Sequence, residues 1–412
     1  MIAHLFARRR ASVYPLIAAA PFRSHIRGGS ASYGRISALA KEGTDVKSWT
    51  AARARVFIAL GIAALATLVA AGTVTGSTGS VGKAKAGPIV AFLLPENVTP
   101  RWEGSDAPTF KTALAKLVPG AQVDVLNALN DSSKQQAQAE AELTKGAKVL
   151  VIAAVDQKAA AVIVNKAHSQ GVPVIAYDRL IKSSPLAYYV SFDSVAVGKA
   201  EASWMAKHTK QGARLVIING SPTDDNAHLV YKGIHSVLNP LFASGKRVKV
   251  AEQWTPGWDP TKAQTEMEQI LTKANNGVDG VVSANDGMSG GIIAALKAQS
   301  MQGTVKTTGQ DASLEGVQNV IIGTQGVTVF KDFRLQAPAA AKITAAILNG
   351  TKPTIINAYV SNGMVKVPSV MLKVVPVDQS NISLLVKNGW IKSQFGGLAK
   401  VCTGLPKVSI CS

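Results

Sequence analysis

The sequence predicts an α/β protein built from two doubly wound lobes, and three observations carry that reading. From Pro88 onward, short apolar and β-branched runs alternate with amphipathic helical stretches, the pattern of a parallel sheet with helices on its faces. The alternation runs through two successive series, which gives two similar lobes. Beyond them the chain carries a strand-rich end, too much strand to finish one lobe, which fits a chain that crosses between lobes more than once.

The first series reads IVAFLL (89–94), QVDVLNA (122–128), KVLVIAA (148–154), VPVIAY (172–177) and AYYVSFD (187–193). Between its strands lie amphipathic stretches such as Pro108–Val118, with Phe110, Leu114 and Leu117 on one face, and Ser132–Thr144. The second series alternates helices at Ser194–Lys210, His228–Leu238, Pro260–Ala274 and Ser289–Lys297 with strands RLVIIN, RVKVAEQW, GVVSA and VKTTGQ. QNVIIGT (318–324) and GVTVFK (326–331) read as further strands, followed by a helix at Ala337–Leu348 and the strand-rich AYVSNGMVKVPSVMLKVV (358–375).

Charge separates the front of the chain from the rest. The formal charge is +19, but residues 1–87 hold 12 Lys/Arg against Glu42 and Asp45, while the other 325 residues hold 32 basic and 23 acidic side chains. The second portion forms no basic block, so it reads as a solvated surface and no nucleic-acid partner is expected. Residues 1–55 form a basic leader expected to be disordered. Residues 56–74 are a signal sequence or membrane anchor: the uncharged run Val56–Ala71 follows Arg53 and Arg55 and ends on small residues. Cleavage could fall after Ala71 or Ala86, and an uncleaved span would anchor the protein in the membrane. Residues 75–87, rich in Gly, Ser, Thr and Lys, read as a linker. Either reading of the apolar run implies export to the periplasm or cell surface. The two cysteines, Cys402 and Cys411, are expected to form a disulfide in the tail 402–412.

The ends of five runs carry the chemistry: VPVIAYDR (172–179), RLVIINGSPTDDNA (214–227), VKVAEQWTPGWD (248–259), DGVVSANDG (279–287) and VKTTGQD (305–311). Ligands of open α/β sheets sit at the carboxyl ends of strands, and here those ends bear Asp178, Arg179, Asp224, Asn226, Trp258, Asn285 and Asp311. Carboxylates and amides bind hydroxyl groups, guanidinium groups bind adjacent oxygens, and tryptophan covers a sugar face. This is the inventory of a carbohydrate receptor. Each group also has a structural reading: Asp178-Arg179 as an ion pair, Asp224-Asp225-Asn226 as a helix cap, Asn285-Asp286-Gly287 as a turn.

These clusters, in this order, resemble the bacterial D-xylose-binding periplasmic proteins, type I substrate-binding components of ABC importers. The resemblance runs from about Ile89 to Leu384 and is most specific in AYDRLI, YVSFD, NGSPTDDNAHL, QWTPGWDP, SANDGMSGG, GQDASLEG, GTQGVTVFK and NGMVKVPS. It implies two Rossmann-like lobes joined by a three-crossing hinge, with lobe 1 at 88–193 plus 332–358 and lobe 2 at 194–331 plus 359–401. It adds Arg101, Trp102 and Lys331 to the sugar contacts. It also implies D-xylose or a related monosaccharide as ligand, no cofactor, a monomer, and an ABC permease with its ATPase as partner. Two departures stand out: LLPENVTP before Arg101 lacks the acidic, Arg-containing character usual there, and Asp225 stands where an amide is common.

Other classes fit less well. The folded part has no Gly-x-Ser-x-Gly elbow, no phosphate-cradling glycine loop and no metal-ligand spacing, so no enzyme or metal site is expected. A sugar-responsive repressor would share the fold, but an export signal precludes DNA binding. Receptors for ribose, arabinose, galactose or autoinducer remain the alternatives within binding.

Overall fold

The computed structural model describes residues 87–411; the leader, the 56–74 segment and nearly all of the linker lie outside them. In chain order, β1 Ile89–Leu94, α1 Ala107–Leu117, β2 Gln122–Asn127, α2 Ser132–Lys145, β3 Val149–Ile152, α3 Ala161–Ser169, β4 Val174–Tyr177 and β5 Tyr188–Phe192 build most of the first lobe. The chain crosses into α4 Ser194–His208, β6 Ala213–Asn219, α5 Asp225–Ala243, β7 Arg247–Trp254, α6 Pro260–Lys273, β8 Gly280–Ser283, α7 Asp286–Ala298, β9 Lys306–Gln310, α8 Leu314–Ile322 and β10 Gln325–Phe330. It returns with α9 Phe333–Leu348, β11 Ala358–Ser361 and β12 Lys366–Leu372, and crosses a third time into β13 Val375–Val377. Short helices α10 Ser383–Lys387, α11 Trp390–Phe395 and α12 Leu398–Val401 end the fold, and Cys402 is joined to Cys411.

Two sheets result, ordered β11-β12-β5-β4-β3-β1-β2 and β13-β10-β9-β8-β6-β7. All pairs are parallel except β11 with β12 and β10 with β13. The fold is therefore two Rossmann-like lobes with three crossings. The lobe-1 return is longer than expected. Residues 359–372 belong to the first sheet, because VPSVML pairs in parallel with β5, Ser369 opposite Tyr189 through Leu372 opposite Phe192. The third crossing accordingly lies at 373–374 and not at 358. QNVIIGT is also not a strand. Ser313 caps α8 by accepting from Gly316 N, Gly323 closes it in the left-handed conformation, and Val317, Val320 and Ile321 fall on one buried face.

Each lobe has its own core. In the first, Phe92, Phe110, Tyr177 and Val151 pack under α1 and α9, while Leu93, Leu150, Ile163 and Ala176 fill the opposite face. In the second, Ile217, Val230, Met267, Val282 and Ile292 lie between sheet and helices. The tail helices cover a further cluster around Trp390, whose Nε1 donates to Ala312 O at 3.0 Å.

Helices α4 and α5 touch backbone to backbone. A Cβ on Gly198 would lie 2.0 Å from Val230 O, and one on Gly233 would lie 2.2 Å from Val195 O. That approach fixes α5 against α4. Asp286, in the first turn of α7, ties that helix to α8 and β10: its carboxylate accepts from Ser313 N, Thr328 Oγ1 and Gln325 Nε2. Burial, reinforced by the charge of Asp311, raises its pKa to about 7 despite those hydrogen bonds.

Two stability predictions follow from this packing. Gly233→Ala forces the helix pair apart, at a cost of ~1–3 kcal/mol, and lowers the melting temperature by several degrees in a thermal scan. The folded state holds the Asp286 proton more tightly than the unfolded chain. The associated stability is full below the ordinary carboxylate pKa and is lost as pH rises through about 7. Urea titrations at pH 4.5 and 8 should show a fall in stability that Asp286→Asn largely removes.

Candidate functional site

All ten residues singled out for ligand contact meet in one chamber between the lobes, joined there by Thr99 and Gln310. Each arrives at a strand's carboxyl end or at the helix that follows. Asp178 and Arg179 follow β4. Asp224 caps α5 by accepting from Asn226 N, Asn285 caps α7 by accepting from Met288 N, and Lys331 follows β10 at the second crossing. Asp178, Trp258 and Asp311 have φ of 63°, 58° and 99°. Non-glycine residues in this left-handed region cluster at ligand sites, where the surrounding contacts sustain the strain.

The first lobe supplies an arginine wall. Arg101 opens a π-helical turn, Trp102–Asp106, and forks onto Asp106 with Nε–Oδ2 and Nη2–Oδ1 both at 2.8 Å. Its remaining donors reach Asp178 Oδ2 at 2.9 Å and Gln336 Oε1 at 2.6 Å. Phe333 lies under the guanidinium at 3.6 Å from the ring centroid. Tyr177 donates to Asp106, and Trp102 Nε1 donates to Glu96. Arg179 does not pair with its neighbour Asp178. It contacts Glu96 at 3.2 Å and reaches across to Asp224 of lobe 2 at 3.0 Å.

The second lobe answers with carboxylates, an amide and an indole. Trp258 Nε1 donates to Asp224 Oδ2 at 3.0 Å. The indole rests on the backbone at Gly220, where a Cβ would come within 2.2 Å of the ring, so only glycine admits it. Asp224 thus caps a helix, pairs with an arginine and orients the tryptophan at once. Asn226 donates to Asp178 Oδ1 at 3.0 Å, a second link between the lobes, and Lys331 sits 2.7 Å from Asp311. Outside the chamber, Lys182 meets Asp225 at 3.1 Å and Gln157 N donates to Thr223 O at 2.9 Å, so the lobes also touch at the rim.

Charge is balanced inside this buried space. Burial pushes the Asp178 carboxyl up, but Arg101, Lys331 and Arg179 outweigh it and hold the pKa at about 2. Burial raises Asp224, with Arg179 and hydrogen bonds opposing. Among the described residues no cluster of His, Cys, Asp or Glu is arranged to hold a metal ion, and no helix is long and apolar enough to cross a membrane.

Sequence reasoning missed five members of this assembly. Thr99 and Gln310 line the chamber, while Glu96, Asp106 and Gln336 hold its cations. Glu96 and Gln310 were findable as polar residues at the ends of β1 and β9. Gln336, inside a helix of small residues, carried no local signal.

Residues 90–352 match the family model described as a periplasmic binding protein domain. The chain is 38% identical over 328 residues to the D-xylose-binding periplasmic protein of Haemophilus influenzae, covering 79% of this chain and 96% of that one. It is 38% identical over 274 residues to the protein so named in Escherichia coli K12, covering 66% and 82%. Among solved structures, a carbohydrate-transporter solute-binding protein from Chloroflexus aurantiacus, in complex with D-glucose, superposes with a TM-score of 0.68 at 32% identity, covering 73% and 96%. These relatives are binding proteins and not enzymes. With the two lobes, three crossings and inter-lobe chamber above, the chain belongs to the type I periplasmic sugar-binding protein family.

Proposed function

We propose that this protein is an exported receptor that takes one monosaccharide, D-xylose, between its lobes and presents it to an ABC importer. One observation carries the reading: ten residues from both lobes converge on a single chamber whose walls are Asp, Asn, Arg and Lys with two indoles. Sugar hydroxyls donate to the carboxylates and accept from the cations, and an apolar ring face lies against tryptophan. The chamber leaves about 30 Å3, room for roughly two waters. A pyranose therefore enters while the lobes are parted, and its hydroxyls take the place of the cross-lobe contacts as they close. A ligand held by both walls favours the closed form, and that shape is what a permease would read. Because relatives include receptors for other sugars, hexoses are the second reading, tested by the same titration.

Calorimetry of the purified protein against pentoses and hexoses should give D-xylose the highest affinity, with small-angle scattering showing compaction on binding. A hexose bound more tightly would transfer the assignment to that sugar. Arg179→Ala removes the cation between Glu96 and Asp224 and should cost ~2–4 kcal/mol of binding. Trp258→Ala should cost ~1–3 kcal/mol. Unchanged affinity in Arg179→Ala would refute the site. Export rests on the Val56–Ala71 run. N-terminal sequencing of protein recovered from outside the cytoplasm should begin after Ala71 or Ala86, and an intact leader would mean a retained anchor.

A further inference from the structure

We propose that the sugar chamber continues into a second subsite that accepts the apolar aglycone of a glycoside. The inference rests on the sugar-receptor reading above and extends its ligand class from free sugars to O-glycosides with an aryl or alkyl group. A second cavity of about 480 Å3 lies between the lobes and shares Thr99, Arg101, Trp258, Asn285 and Asp311 with the chamber. The two share those five residues as a common wall. A substituent on a sugar oxygen that faces that wall would extend toward the larger cavity.

The chemistry changes along that path. The chamber is walled by ion-paired groups suited to hydroxyls. The cavity's surface is mostly apolar, with Pro260, Leu314, Phe333 and Phe395 contributing, although Glu315 and Gln394 also line it. Leu314 remains 41% exposed. Of the polar groups there, Asp286 is engaged by Ser313, Thr328 and Gln325, and the Gln318 amide is engaged by Val401 O. Two buried polar side chains in the wall have an oxygen without a hydrogen bond: Asp311, which is ion-paired to Lys331, and Ser105, which is 6% exposed and whose Oγ has no partner among the described residues. Buried hydroxyls left unpaired are uncommon and call for a partner that the protein does not itself supply. A hydroxyl donor beside apolar surface suits an ether or phenolic oxygen on an otherwise apolar group.

Both compartments are written into one local element. The π-helical turn Trp102–Asp106 places Trp102 at the chamber, Ser105 at the cavity and Asp106 under Arg101. Single π turns inside helices are frequent at functional sites. Gly104, between them, faces open space: a Cβ there would meet nothing within 4 Å. Gly104 lines the cavity, so a larger side chain there would narrow it without a backbone clash at its Cβ.

The test is calorimetry on the full chain with the preferred free sugar, its methyl glycosides and its phenyl glycosides, both anomers of each. One phenyl anomer should bind at least about tenfold more tightly than the matching methyl glycoside, from burial of the ring. Gly104→Leu should remove that gain and leave affinity for the free sugar unchanged. Leu314→Asp should do the same and serves if Gly104→Leu fails to fold. The subsite is overturned if the free sugar binds while neither phenyl anomer exceeds its methyl counterpart, or if both variants retain the gain. A larger gain for the β-1,4-linked disaccharide of the same sugar than for either phenyl glycoside would overturn the apolar class. If no sugar or methyl glycoside binds, the receptor reading itself fails and the subsite falls with it.

Discussion

The Asp178 carboxylate draws a salt bridge from Arg101 on the π turn, a hydrogen bond from Gln336 on the returning helix α9, and one from Asn226 at the start of α5. Those three donors come from the first lobe, from the stretch after the second crossing, and from the second lobe. The carboxylate can serve them all only while ionised, and burial alone would neutralise it. Three nearby cations reverse that and hold its pKa at about 2, so the charge is present near neutral pH. The left-handed backbone at Asp178 then becomes intelligible. A strained φ of 63° turns the side chain toward the crossings, and the contacts made there sustain the strain.

Around that hub the two arginines are each held by an acid that takes no part in the chamber lining. Asp106 locks Arg101 through both of its oxygens, and Glu96 holds Arg179 and Trp102 together. A guanidinium so held keeps its direction when a ligand arrives, so little ordering entropy is lost on binding. The departure at LLPENVTP thus has a structural counterpart. Glu96 supplies the acid on that segment, though as a support for the cations and not in the chamber lining.

The strand-end residues were legible because a β-branched run fixes where the sheet stops and the next polar residue must face the crevice. Asp178, Arg179, Asp311 and Asn285 all follow that rule. The supports were not legible, since Gln336 meets Asp178 across 158 positions of chain and nothing local marks it. Two elements were misread for related reasons. AYVSNGMVKVPSVML announces strands but not which sheet they join, and its place beside β5 is decided by pairing distant in sequence. QNVIIGT has the composition of a strand, yet caps at Ser313 and Gly323 and a buried Val317–Val320–Ile321 face make it the end of a helix. Tertiary burial overrode β propensity there.

A chamber whose groups already satisfy one another poses an energetic question, because a sugar must exchange its hydroxyls against existing charge pairs. The affinity is then a difference, and contacts that never touch the ligand can tip it. Lys182–Asp225 and Gln157–Thr223 join the lobes at the rim and exist only when the lobes are together. Lys182 is partly exposed, so its pair is worth ~0–1 kcal/mol, a bias of up to about fivefold in the closing equilibrium. Asp225, the carboxylate standing where an amide is common, is thereby engaged in a contact between the lobes, so on the proposed reading of the site it bears on closure. It would change how readily the lobes shut on any ligand, while the choice of ligand would stay with Asp178, Arg179, Asp224 and Trp258.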